Sequence, residues 1–533
     1  MNPVRQLRSL FDNYLQETTL RYPEHGSNLG FDEFRPLLSE NTKAIHRDQN
    51  RLVEKTLAAV EALPESAFDA GGWLDRRIFA SMLRRHRIFE GELQRTKRNP
   101  QGNCDAAIES IFELLVRCEG KLANALPAIE SRLAKIPDYL AAGAKNIRKP
   151  VPLWVKLTEK ACAGGIEFFD ELGQTFQPIA TPRTAALLKG AQAALKDYAQ
   201  AISRKSAGPK DGFACGTAVF EELMRERLGF DWSVNEAAAN GRRLVAEMQA
   251  LLDLEARRLG KKTAREILDA AAGEWIPEKP LLSLYQTATD TVKERLRQRE
   301  LMSLPPGETL VVLPVPAFLK HHFPTAAYTQ PPPFSKKQQG IFWVNDLSLD
   351  AAGEAEKLAE QRQHFGLELT SAHEAYPGHH VQFATQNRFA SKIRRLADHS
   401  ISYEGWTMWC ELMCVEQALV ENPYARLQQL HDALWRAHRI LIDAGLHTGM
   451  SFDWACRTLM EGVGFTRARA EGDVNWYSSS PTVPMSYLLG RLEMERLHAH
   501  FVLKGNWTLR QFNDWLLSYG AIPQRWIWQS LLR

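Results

Sequence analysis

Within His373-Glu374-Ala375-Tyr376-Pro377-Gly378-His379-His380 lie three histidines and a glutamate, the densest chemistry in the 533 residues. Histidine and glutamate at such spacing point to a divalent metal ion with a neighbouring general base. In the H-E-x-x-H pattern two imidazoles at i and i+4 share one helix face and hold zinc, and the adjacent Glu activates water. Here Pro377 occupies the i+4 position. On an unbroken helix i+6 is rotated about 120° from the first His, and i+7 lies about 10 Å along the axis. Neither could share an ion with His373 at about 2.1 Å per ligand. Metal binding therefore requires the helix to be interrupted. Pro377 removes an amide donor and Gly378 tolerates unusual backbone angles, so a bulge there is expected to absorb the extra residues and bring His379 to the place normally held by i+4. His379 is the expected second ligand and His380 its competitor. A hydrogen-bonded histidine cluster with no ion is the alternative.

A third ligand must come from elsewhere. Glu404, in Tyr403-Glu404-Gly405-Trp406, stands 24 residues after His380. That is room for one helix to end and another to return antiparallel, completing a two-His, one-Glu site with an open position for water. Glu411, two turns further on, is a candidate partner for a ligating imidazole. Cys410 and Cys414, at i and i+4 on the same segment, read as buried thiols rather than as a second metal site.

HEAYPGHH resembles the signature of the bacterial domain-of-unknown-function family 885. In that family H-E-x-x-P-G-H-H is followed by E-G-W, D-x-G-L-H and S-Y-x-x-G segments. Here these are Glu404-Gly405-Trp406, Asp443-Ala444-Gly445-Leu446-His447 and Ser486-Tyr487-Leu488-Leu489-Gly490. The chain departs from the family pattern at Thr407, Trp409 and Thr482-Val483, which bears on substrate preference more than on metal binding. The family looks like a distant branch of the gluzincins, zinc peptidases with two His and a downstream Glu, and some of its members look like secreted lipoproteins. The resemblance implies a Zn²⁺ hydrolase of peptides in which Glu374 is the base. Tyr487 and His447 are expected to stabilise the oxyanion and Arg491 to meet a substrate carboxylate. A structural Asp443–His447 pair and a core Tyr487 are the alternatives.

The rest of the chain must position these groups. Asn50–Leu63, Asp75–Leu93, Arg183–Lys205 and Ser233–Arg258 repeat apolar residues with helical period, and Ser233 with Glu236 forms a capping-box pattern. The texture changes at Leu304-Pro305-Pro306-Gly307. Thr309–Leu313 and Gly340–Val344 then read as short strands. The expected fold is mainly α, a large helical body with a small β-sheet beside a metal-binding cleft and gluzincin-like catalytic helices. Residues 1–305 form the helical cleft walls, and 306–533 the catalytic region, with strands in 306–346 and active-site helices in 347–533. Gly340 and Phe342 are expected on a strand edge that accepts an extended substrate backbone, with an ordinary core strand as the alternative, and Tyr328 in the cleft wall or in a surface loop.

Composition narrows the partners. There are 66 Lys and Arg against 63 Asp and Glu, for a net charge of +3. Near balance disfavours nucleic acid as the main partner, and the pairs Arg204-Lys205 and Lys261-Lys262 read as solvated helix ends. No run approaches the ~18 apolar residues of a membrane span, and no secretory signal is evident at the start. Seven cysteines at irregular spacing form no disulfide framework. The expectation is a cytoplasmic enzyme that takes a short peptide or another small amide, with a non-peptide amidase or esterase and a non-catalytic scaffold as rivals. Zinc is the first choice, though two imidazoles and a carboxylate also hold other divalent ions.

Overall fold

The computed structural model describes residues 2–118, 121–260, 262–316 and 325–533; Lys261, half of one basic pair, lies outside them. Two compact units emerge, one of residues up to Phe213 with Pro332–Ser335, the other of Ala214–Pro331 and Lys336–Arg533. The first is built of helices, among them Lys43–Glu61, Ala70–Arg87 and Pro182–Ser203, where the apolar periodicity places them. The division falls at Phe213 and not at 305, so residues 214–305 belong to the unit that carries the metal motif. Helical texture is the same on both sides of Phe213. The change at Leu304 marks a switch from helix to strand, not a boundary between bodies.

In the second unit the site depends on seven helices and one sheet. α1 (Val234–Leu259) opens on the Ser233–Glu236 capping box. α2 is Leu281–Gln298, α3 Leu367–Glu374, α4 His379–Gln386, α5 Ser400–Glu416, α6 Ala425–His447 and α7 Ser486–His498. Strands β1 (Thr309–Pro314), β2 (Ala326–Thr329) and β3 (Gln339–Val344) form the sheet. The fold is mainly α with a small sheet, as expected.

The core of this unit is the seam between α1 and α6. Leu244, Met248 and Leu252 on one helix pack with Leu430, Leu434 and Ile440 on the other, all buried. Each such side chain contributes about 1.5–3 kcal/mol on leaving water. α2 packs on α3 and on β1, joining helical body to sheet. No helix among the described residues is long and apolar enough to cross a membrane.

Strand order is β1-β3-β2, with β3 parallel to β1 (Val312 opposite Phe342) and antiparallel to β2 (Tyr328 opposite Phe342). β3 is therefore the central strand. Phe342 is paired on both sides and buried edge-on against Tyr285, whereas Gly340 pairs with β1 alone. The substrate-edge role expected for Phe342 is corrected. β2 has four residues, too few for an alternating pattern to be seen in the sequence, and it covers the flank that looked open.

Candidate metal centre

The metal motif is two helices, not one bulged helix. α3 ends at Glu374, a cis peptide joins Tyr376 to Pro377, and α4 begins at His379. A Cβ on Gly378 would stand 1.7 Å from the carbonyl oxygen of His373. Only glycine fits a backbone folded so tightly over the preceding turn. Trp406 on α5 fixes the fold-back by donating its indole N–H to the carbonyl of Pro377 at 2.9 Å. His379 is thereby turned toward His373, with ring centroids 5.1 Å apart and planes at 84°.

Glu404 reaches both from α5. Its Oε2 is 3.8 Å from His373 Nε2 and 3.7 Å from His379 Nε2. One ligand atom from each of the three lies within 4.8 Å of the others. Ligands at about 2.0–2.2 Å from one ion in tetrahedral geometry stand roughly 3.3–3.6 Å apart; the two Glu404 separations are near that spacing and the cluster as a whole is looser, a candidate site for a divalent ion. Glu404 Oε2 is buried and has no hydrogen-bond partner. A buried carboxylate oxygen without a donor is costly, and here it faces two imidazole nitrogens.

Electrostatics keep those imidazoles neutral. Burial first, then Arg436, lowers His373 to about 3, and burial followed by His373 holds His379 well below the ordinary histidine range. His373 Nδ1 is 2.7 Å from Glu411 Oε1. A carboxylate there retains the proton on Nδ1 and leaves the Nε2 lone pair facing Glu404. Burial pushes Glu411 upward, against the pull of Arg436, and raises Glu404 to about 7, against the influence of Tyr487. Glu374 is pushed well above the usual carboxylate range by burial, then by Glu404 and Glu411. Three carboxylates crowded around neutral imidazoles form a donor set suited to a cation.

His380 is elsewhere. Its Nε2 is 2.6 Å from Glu308 Oε2 and its Nδ1 is 3.0 Å from the Tyr328 hydroxyl, so both nitrogens are engaged. The competitor ligand is corrected to a bracing residue. Glu308 also accepts from Tyr376 at 2.5 Å and pairs with Lys293 at 2.9 Å. A Cβ on Gly340 would stand 2.6 Å from both His380 Nδ1 and the Tyr328 oxygen, so glycine makes room for this bond. Tyr328 stacks beside His379, centroids 6.2 Å apart.

The downstream motifs sort into ligand, brace and wall. Tyr487 lies close enough to Glu404 to lower that carboxyl against its burial, so its phenol stands beside the cluster. His447 does not: its Nε2 is 3.0 Å from the Tyr477 carbonyl oxygen and its ring stacks on Phe220. Asp443 accepts from the backbone N–H groups of Thr482 and Met485. The pair braces the turn that leads into α7, and the oxyanion role for His447 is corrected. Arg491 is buried with Nε 2.9 Å from Glu495 Oε1, an i, i+4 ion pair within α7. Cys410 and Cys414 are buried thiols, as expected.

Sequence reasoning missed Glu308 and Lys293, which carry no local motif, and Tyr376, which lies within the motif but was given no role. Arg436 and Arg439 were missed as well, although their i, i+3 spacing beside Asp432 marks one charged helix face.

The sequence pattern of the bacterial protein family of unknown function DUF885 matches residues 23–530. The chain belongs to the DUF885 family. Two solved structures share the fold at a TM-score of 0.77. One, described as "a putative lipoprotein of unknown function" from Shewanella oneidensis, is 19% identical and matched over 99% of this chain and 100% of its own. The other, "the putative lipoprotein from Colwellia psychrerythraea", is 18% identical, over 100% and 99%. No curated protein matches. For this DUF885 chain the motifs quoted from sequence acquire physical roles: Glu404 as ligand candidate, Gly405 as a helix contact, Trp406 as the clamp on Pro377.

Proposed function

We propose that this protein is a divalent-metal-dependent hydrolase, with zinc the preferred ion, that cleaves an amide bond in short peptides. The observation that carries the reading is the orphaned, buried Glu404 Oε2 between the Nε2 atoms of His373 and His379. Ligand type and chain order match the two-His, one-Glu peptidases to which the motif is similar. A divalent ion held there supplies Lewis acidity and brings the pKa of a water molecule toward neutrality.

The chain's own groups do the rest. Glu374, adjacent to a ligand and partly exposed, takes the proton of the attacking water and returns it to the leaving amine. Its raised pKa suits a group that must accept a proton near neutral pH, and a dication beside it pulls that pKa back down. Tyr487 supplies a phenol donor for the developing oxyanion, in place of His447. Tyr328 walls the site beside His379.

The test is elemental analysis of the purified chain, then titration of zinc into chelator-treated protein, wild type and Glu404→Ala. One ion per chain, lost in the variant, supports the reading. A peptide library and a panel of acylated amines, digested with and without chelator, separate peptides from other amides. Stoichiometric metal bound equally well without Glu404, or cleavage indifferent to chelator, sinks it.

A further inference from the structure

We propose that Arg436 and Arg439 form a carboxylate subsite, so that the preferred substrate is a short peptide or acylated amino acid bearing a free acid group. The inference rests on the hydrolase reading above. The two arginines stand one turn apart on α6, and they are 9% and 5% exposed. Their neighbours account for part of each guanidinium. Arg436 Nη1 is 3.1 Å from Asp432 Oδ1. Arg439 Nε donates to the Tyr477 hydroxyl at 2.8 Å, and its Nη2 is 3.8 Å from Asp473 Oδ2. Asp473 is itself shared, since Tyr477 donates to the same oxygen at 2.6 Å. Arg436 Nε and Arg439 Nη1 are left buried with no acceptor. A buried cationic donor without an acceptor is destabilising, and its complement is a planar oxyanion.

The surroundings hold these groups ready rather than neutralised. Arg439 lies over Trp435 at 4.2 Å, Tyr487 at 4.7 Å and Trp476 at 5.3 Å; Arg436 lies over Trp435 at 3.9 Å and Tyr487 at 5.9 Å. Stacking fixes the guanidinium planes while leaving their edges free to bond. Trp435, Trp476 and Tyr487 are each partly exposed, so the cage communicates with solvent. Tyr487 links the cage to the metal centre, its ring against both arginines and its helix crossing α5 at Gly405 and Gly490, next to Glu404. One phenol ring thus separates ligand from cation, a span that one or two substrate residues cover at about 3.8 Å each. Arg491, the arginine expected for this task, is held by Glu495.

The experiment uses the zinc-loaded full chain and matched peptides ending in a free carboxylate, in an amide, or in an amidated Glu. The expected result is a loss of at least tenfold in kcat/KM, mostly through KM, on amidating the terminus. Recovery with the amidated Glu peptide identifies a side-chain acid as the source, and no recovery identifies the terminal carboxylate. Arg439→Lys narrows the difference between acid and amide. Calorimetry of an N-acetyl amino acid against its amide, on metal-free protein as well, reads binding without turnover. Equal cleavage of acid and amide overturns the subsite and leaves the hydrolase standing. Cleavage of nothing in the set overturns both.

Discussion

Gly405 on α5 and Gly490 on α7 meet backbone to backbone: a Cβ built on Gly490 falls 2.7 Å from Gly405 Cα and 2.0 Å from the carbonyl oxygen of Ile401. This crossing brings Glu404 beside Tyr487, because each glycine sits next to, or one turn from, the residue it positions. Gly490→Ala tests the crossing. At an exposed helical site the change would stabilise by about 0.5–1 kcal/mol. Here the methyl has no space, and overpacking of this kind costs about 1–3 kcal/mol or more. The expected outcome is a lower Tm with unchanged helical content, and zinc affinity reduced because α5 shifts. A Tm equal to or above wild type would show the helices to be further apart than described.

Glu411 acts through an imidazole. With Glu411→Gln the 2.7 Å contact to His373 Nδ1 loses its charge and a fixed tautomer. Loss of such a partner lowers metal affinity by about 10–100-fold. Competition with a chromogenic chelator measures this directly, and the metal-free variant should fold as wild type does. Asp443→Asn is the matched control, since Asp443 holds backbone N–H groups of the Thr482–Met485 turn. It should lower Tm while leaving zinc affinity within a few-fold.

How far these relations were visible beforehand depends on range. That His373, His379 and Glu404 come together was legible because a two-His, one-Glu pattern restricts residue type, and Pro377-Gly378 announced a departure from regular helix. The form of the break was not, since two helices joined by a fold-back and one bulged helix satisfy the same spacing. His447 was misassigned for one reason. A polar residue near a motif reads as functional until its partner is known, and Tyr477 is found only by folding. Glu308 lies 72 residues from His380, beyond any local pattern. β3 looked like an edge because its second neighbour, β2, is four residues long.

Glu374→Gln separates binding from chemistry. The side chain is not among the three grouped ligand atoms, so zinc stoichiometry should remain at one. Removing a general base costs about 10²–10⁴ in rate. The expected result is kcat reduced by at least a hundredfold, with affinity for a product-like N-acetyl amino acid retained. Full activity in this variant would assign the base elsewhere.

His379 and His380 are neighbours with opposite expected phenotypes. His379→Ala should abolish tight zinc binding. His380→Ala should keep the ion and lose stability, because Glu308 then loses a donor. Acid unfolding isolates that interaction. Burial pushes the Glu308 carboxyl up, yet hydrogen bonds from His380, Tyr376 and Lys293 outweigh it and hold it at about 2. The folded value lies below the ordinary 4.5, so the group stabilises the fold at pH above its unfolded pKa. That contribution is lost as pH falls from about 4.5 through about 2. Glu308→Gln should therefore flatten the pH dependence of unfolding free energy across this window and lower stability at neutral pH. Urea melts of wild type and variant at pH 3, 4, 5 and 7 measure it. Parallel curves across the window would mean that Glu308 does not carry the ion pair on which His380 is held.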